Sequence, residues 1–106
     1  MRIVITTCKP EEAEKIAQGL LEEHLVASVN IISGVTTKVW WKGELLTQPE
    51  TLLIMRTRAE LMYRVERKIL ELSTFEVPEV ASFSIQEWNA AYENWLMSVT
   101  AKALQR

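Results

Sequence analysis

The stretch from Val26 to Trp41 constrains this chain more than any other. It reads as one long strand, rich in β-branched residues and interrupted only at Ser33-Gly34. Ala27, Val29, Ile31, Val35, Val39 and Trp41 share one face, and Ser28, Asn30, Thr36 and Lys38 share the other. Lys42-Gly43 reads as a two-residue hairpin turn, and a return strand runs from Glu44 to Arg58. Ser33-Gly34 marks a bulge or bend, and Pro49 a bulge or an unpaired edge. Fully extended, residues 26–41 reach roughly 50 Å. A domain of about 100 residues is only about 35 Å across. The hairpin therefore either bends sharply or projects beyond its own domain. Its end carries Val39, Trp40, Trp41, Leu45 and Leu46. Adjacent strand tryptophans face opposite ways, so one sheet does not bury both. An apolar tip of this kind predicts an interface, and we expect a homo-oligomer whose hairpins pack on neighbouring subunits.

The remaining segments fit around this hairpin. Residues 2–8 read as a central strand. Pro10 opens a helix that runs to about His24, capped from Thr7 or Cys8, with Ala13, Ile16, Ala17, Leu20 and Leu21 on one face. A second helix covers 59–72, with Met62, Val65, Ile69 and Leu72 as its stripe and Glu60 placed to pair with Arg64. Val77-Pro78 opens a last strand that ends near Ile85. A third helix covers 88–100, with Trp88, Ala91, Tyr92, Trp95, Leu96 and Val99 on one face. The order predicts a single α+β domain spanning 1–106: a ferredoxin-like β-α-β-β-α-β sandwich with an extended β-hairpin and an extra C-terminal helix. The right-handed crossover rule puts both main helices on one face of an antiparallel sheet.

Several function classes lack support. Twelve basic residues stand against fourteen acidic ones with no basic cluster, which argues against nucleic acid as a partner. No apolar run is long enough for a membrane span, and the N-terminus turns polar too early for a signal peptide. A single cysteine suggests the cytoplasm. Gly-rich phosphate loops, GxSxG elbows and HExxH are absent.

Some residues stand out as chemical candidates. Cys8 sits between the first strand and the first helix, where a thiol can serve as a nucleophile or soft metal ligand; the alternative is a packed core thiol. His24 has no metal-ligand partner at suitable spacing. Glu76 and Glu79 flank Val77-Pro78 as a possible carboxylate pair. Arg56, next to apolar Ile54 and Met55, needs a partner, with Glu50, Glu76 and Glu79 as candidates, or else binds an anion. Tyr92 and Trp95 can stack a ligand or pack in an interface.

Taken together, Lys9-Pro10-Glu11-Glu12-Ala13, Leu25-Val26-Ala27-Ser28-Val29-Asn30-Ile31, Val39-Trp40-Trp41-Lys42-Gly43-Glu44 with Glu50, Arg56-Thr57, Phe75-Glu76-Val77-Pro78-Glu79-Val80 and Tyr92 to Trp95 resemble the CutA family of divalent-cation tolerance proteins. The resemblance covers nearly the whole chain, in order. It implies a PII-like ferredoxin-like fold and a tight homotrimer with interlocking hairpins. It also implies a binding or regulatory role linked to divalent-cation, especially copper, tolerance, and no enzymatic activity. A ligand cleft between subunits would be lined by Arg56, Glu76, Glu79, Tyr92 and Trp95, and the trimer interface by Val39, Trp40, Trp41 and Leu45. No cofactor is required; copper or another divalent cation is the possible metal, with Cys8 as its candidate ligand. The chain departs from the family at Ser28 and at Ser73-Thr74-Phe75, where the family usually has Cys and His-Pro-Tyr. The alternatives are a PII-like sensor of a small anionic ligand, anchored by Arg56, a structural partner-binding trimer, and a small hydrolase resembling acylphosphatases.

Overall fold

The computed structural model describes residues 1–105. Its elements are β1 (Arg2–Cys8), α1 (Ala13–Glu22), β2 (Ser28–Trp41), β3 (Glu44–Thr57), α2 (Met62–Leu72), β4 (Ala81–Ser84) and α3 (Ala90–Leu104). Short 3-10 turns, Pro10–Glu12 and Ala59–Leu61, lead into α1 and α2. The four strands form one antiparallel sheet in the order β2-β3-β1-β4. This is the ferredoxin-like arrangement expected from the order of elements.

Side-chain alternation sorts the sheet into two faces. Val4, Thr6 and Cys8 of β1 and Leu53 and Met55 of β3 are buried on one of them. Ile16 and Leu20 of α1 and Val65 and Ile69 of α2 join them in a single core. The helical stripes thus do what their spacing predicts, removing apolar area from water at about 25 cal/mol per Å². The other face carries Ile3, Ile5, Leu52, Ile54, Ile32 and Phe83, and neither α1 nor α2 lies over it. These side chains are half-buried or exposed, with Phe83 at 53%.

The start of α1 differs from expectation. No side chain caps it; Pro10 occupies the first position of the leading turn, and the Cys8 thiol points to the Thr51 carbonyl at 3.8 Å. The helix ends at a left-handed His24, φ 58°. There the His24 N–H donates to Leu21 and the Leu25 N–H to Leu20, while Leu25 and Leu20 are both buried. This is a Schellman stop in a residue other than the usual glycine.

The hairpin turns at Lys42-Gly43, whose φ values of 49° and 81° are those of a type I′ turn. Two residues, Ser33 and Gly34, oppose Thr51 alone, because the register steps from Ile32↔Leu52 to Val35↔Glu50. Gly34, at φ 77°, supplies the left-handed residue that this bulge needs. The bulge corrects the face assignment made from simple alternation. Val35, Val39 and Trp41 do not continue the face of Val29 and Ile31. They continue that of Ser28, Asn30 and Ile32, on the side of Glu50 and Leu52. Pro49 sits in register opposite Thr36, where β3 has no neighbour beyond β2, so its missing N–H is tolerated. The arm both bends and projects, giving a molecule 45 Å long against 28 and 21 Å in the other directions.

Two further boundaries move. Val77-Pro78 lies in a loop, and β4 begins only at Ala81, pairing with Ile5 to Arg2 of β1. Trp88 precedes α3, which runs on to Leu104. Two arginines fasten that helix. Buried Arg58 donates from Nε to the Thr100 hydroxyl at 2.9 Å and from a terminal nitrogen to the Met97 carbonyl. Arg64 does not pair with Glu60 but donates to the Ala103 carbonyl at 2.7 Å. A cation on the last carbonyls of a helix also complements its dipole.

Candidate functional site

The bend of the arm makes a cleft of about 550 Å³. One wall is the distal arm, with Thr37, Val39 and Trp41 of β2 and Leu46, Gln48 and Glu50 of β3. The facing wall is the loop from Thr74 to Glu79. The bulge is what turns these β2 side chains inward. Without the phase change at Ser33-Gly34, Thr36, Lys38 and Trp40 would line the cleft instead.

Glu50 forms the floor and is only 4% exposed. Its two carboxylate oxygens accept from the Thr37 hydroxyl at 2.9 Å and from the Gln48 amide at 2.8 Å. At the mouth, the Lys42 ammonium lies 3.5 Å from Glu76 and 5.6 Å from the Trp41 ring centroid. On the other side, the Lys9 ammonium sits 5.9 Å from the Phe75 ring centroid. Both distances fit cation–π contacts. The loop is tied down twice. The Thr6 hydroxyl donates to the Glu79 carbonyl at 2.6 Å. The Thr74 hydroxyl and backbone N–H both donate to Glu12. Burial alone would raise the Glu12 carboxyl, but the Thr74 bonds, with Lys9 and Lys15, outweigh it and leave its pKa lowered.

The five cleft residues expected from the sequence fall into two groups within one protomer. Glu76 and Glu79 line the cleft under the arm. Arg56, Tyr92 and Trp95 gather at the base of β2. Arg56 donates to the Asn30 amide oxygen at 2.5 Å and to the Ser28 hydroxyl at 3.5 Å, rather than to any of the expected carboxylates. Ser28 also lies 3.1 Å from the Tyr92 hydroxyl. Tyr92 stacks on Trp88 with centroids 5.4 Å apart and meets the edge of Trp95 at 5.2 Å. Of the four expected interface residues, Val39 and Trp41 face the cleft and are half-buried. Trp40 and Leu45 face away and are 71% and 64% exposed.

Cys8 is fully buried on the helix side of the sheet, opposite the face that carries the cleft. Its thiol pKa is pushed up to about 11, by burial first and then by the negative charges of Glu12, Glu50 and Glu11. It therefore stays protonated at neutral pH, which is unfavourable for a soft metal ligand. Among the described residues no group of three His, Cys, Asp or Glu side chains is placed to hold a metal ion. The donor set of one protomer thus does not fit a copper site.

Two residues escaped the reading of the sequence. Glu50 entered only as a partner for Arg56 and as one residue of the family resemblance, and its place as the cleft floor depends on the bulge across from it. Arg58 was passed over because its partners, Met97 and Thr100, lie about forty residues downstream. An acidic residue two positions before the apolar run Leu52-Leu53-Ile54-Met55 was the local signal available for Glu50.

Comparison with known proteins is consistent along the whole chain. A sequence profile described as CutA1 divalent ion tolerance protein matches residues 2–99. The divalent-cation tolerance protein CutA of Thermus thermophilus is 35% identical over 98 residues, covering 92% of this chain and 95% of that protein. Its counterpart in Pyrococcus horikoshii is 33% identical over 103 residues, covering 96% of this chain and 100% of that one. Some eukaryotic relatives are longer: the chain spans 57% of the rice protein CutA 1, chloroplastic. Among solved structures, the PII-like protein CutA from Nostoc superposes with a TM-score of 0.89 at 32% identity, covering 94% of this chain and 97% of that one. A structure named as the periplasmic divalent cation tolerance protein CutA of Archaeoglobus fulgidus also gives 0.89, at 27% identity, covering 94% and 99%.

Proposed function

The chain belongs to the CutA1 divalent ion tolerance protein family, and from that premise we propose that it acts as a homotrimeric binding protein rather than a catalyst. In this reading it regulates or buffers the response to divalent cations by holding a ligand, and it works in the cytoplasm. The observation that carries the proposal is the uncovered apolar surface. Ile32, Phe83, Trp40 and Leu45 are large, exposed and distributed over the outer sheet face and the arm. A stable monomer rarely leaves such a surface to water, and closed rotational symmetry is the usual way to cover it. The arm supports the same reading. Beyond Glu50 it is a two-stranded ribbon, which is marginal in water unless something packs on it.

A second reading has its own support. Arg56, set among Ser28, Asn30 and Tyr92 with no carboxylate partner among the described residues, is suited to an anionic ligand of the kind a PII-like sensor would hold.

Native mass spectrometry, on the protein alone and with one equivalent of copper(II) or zinc(II) per chain, tests the assembly and the metal together. The expected result is a trimer. One tightly held metal per chain would make the protein a direct metal carrier, with ligands assembled between subunits. A monomer at micromolar concentration would sink the proposal.

A further inference from the structure

The cleft under the arm has a chemical character of its own. Its floor, Glu50, is buried and hydrogen-bonded only to neutral donors, and among the described residues no cation pairs with it. A carboxylate removed from water ordinarily requires a positive partner. Each of its oxygens has accepted one hydrogen bond and retains capacity for another. The lining holds three carboxylates (Glu50, Glu76 and Glu79) and one ammonium (Lys9), and even with Lys42, which pairs with Glu76 at the edge, one negative charge remains in excess.

The walls add a second requirement. Trp41 and Phe75 present ring faces on which the protein's own Lys42 and Lys9 ammonium groups already rest. Lys42 also contacts Glu76 in an exposed pair, with side chains 70% and 65% accessible; such a pair is weak and readily exchanged. Val39, Leu46 and Val77 complete an apolar lining. A bare metal ion does not match this arrangement. The Gln48 amide and Thr37 hydroxyl offer Glu50 protons, and no three ligating side chains converge among the described residues. An alkyl ammonium does match. Its charge would sit on Glu50 and the aromatic faces, and its chain would lie on the apolar walls.

We propose that this cleft binds a small aliphatic amine, mono- or diammonium, with one ammonium on Glu50 and Lys42 acting as the exchangeable occupant of its mouth. This deepens the binding-protein reading above, but the cleft is built within one chain, so the two fail separately.

The test is isothermal titration of the full chain with 1,4-diaminobutane, using butane-1,4-diol as the uncharged control and copper(II) chloride as the metal control. Saturable binding of the diamine, at least tenfold tighter than the diol, is expected. Glu50→Gln should weaken it by tenfold or more. Lys42→Asn keeps a residue that tolerates the left-handed turn and should tighten binding several-fold by freeing Trp41 and Glu76, a gain that misfolding cannot imitate. Equal binding of diamine and diol, unchanged affinity in Glu50→Gln, or weaker binding in Lys42→Asn would each overturn the proposal. Displacement of bound diamine by stoichiometric copper would assign the cleft to metal instead. A monomeric protein that binds the diamine would sink the trimer and leave the amine site standing.

Discussion

The same two strands build both halves of the hairpin, yet the halves live under different rules. The proximal half, Ser28–Ile32 with Leu52–Arg56, has β1 on one side and the helix layer beneath it. Its inward side chains, Leu53 and Met55, are fully buried. The distal half, Val35–Trp41 with Glu44–Glu50, has no third strand. Two of its large apolar residues, Trp40 and Leu45, are among the most exposed large hydrophobic side chains of the described residues. The proximal half is stabilised by the fold of its own chain. The distal half has little of its own chain to pack on, and in the proposed reading a neighbouring subunit or a ligand takes that place.

Substitutions can separate the two. The largest effect is expected in the proximal half. Leu53→Ala removes a fully buried side chain and should cost about 2–5 kcal/mol. Urea unfolding followed by circular dichroism should show a markedly lower midpoint. Trp40→Ala, in the distal half, should leave the far-ultraviolet spectrum of the protomer nearly intact while loosening the assembly, since Trp40 is 71% exposed on the arm and a large aromatic covered by a neighbour is worth about 3–5 kcal/mol. Sedimentation at micromolar concentration reads that result. If mass and melting temperature both stay at wild-type values, the two halves do not differ as described. At the junction, Gly34→Val forces a β-branched residue to φ 77° and should cost about 1–3 kcal/mol. Differential scanning calorimetry would detect it.

The smallest effect concerns the loop facing the arm. The Glu12 carboxyl has a folded pKa below its ordinary value. Its contribution is therefore present above the ordinary carboxylate range and is lost as pH falls through the folded value. Thr74→Val should raise the Glu12 pKa, measurable by carboxyl NMR titration, and flatten the acid limb of the stability profile. An unchanged titration would remove Thr74 as the cause.

The proximal half was far more legible than the distal half. Strand alternation, the helical stripes and the Lys42-Gly43 turn are local signals, and each appears where its chemistry predicts. Ser33-Gly34 was readable as a bulge, but its effect on everything downstream was not, because a bulge changes which side chains share a face. Val77-Pro78 looked like a strand start since valine favours strands; Val77 is in fact an exposed loop residue lining the cleft. The candidate site was half legible. Glu76 and Glu79 line one cleft, together with Trp41, which was expected at an interface, whereas Arg56, Tyr92 and Trp95 belong to another cluster. The roles of Glu50 and Arg58 depend on contacts that only the completed fold creates.

The two-against-one pairing at Ser33 and Gly34 has a consequence for how such arms diversify. A strand records only odd or even, and this bulge is the point where the count is reset. Deleting one of the two residues would close the ladder, with the other opposite Thr51 and Val35 still opposite Glu50. Val39 and Trp41 would stay on the ligand wall, and the arm would lose its bend rather than its faces. A single-codon deletion at this position is therefore a route to a straighter arm and a wider cleft that leaves the lining residues and the folded core untouched.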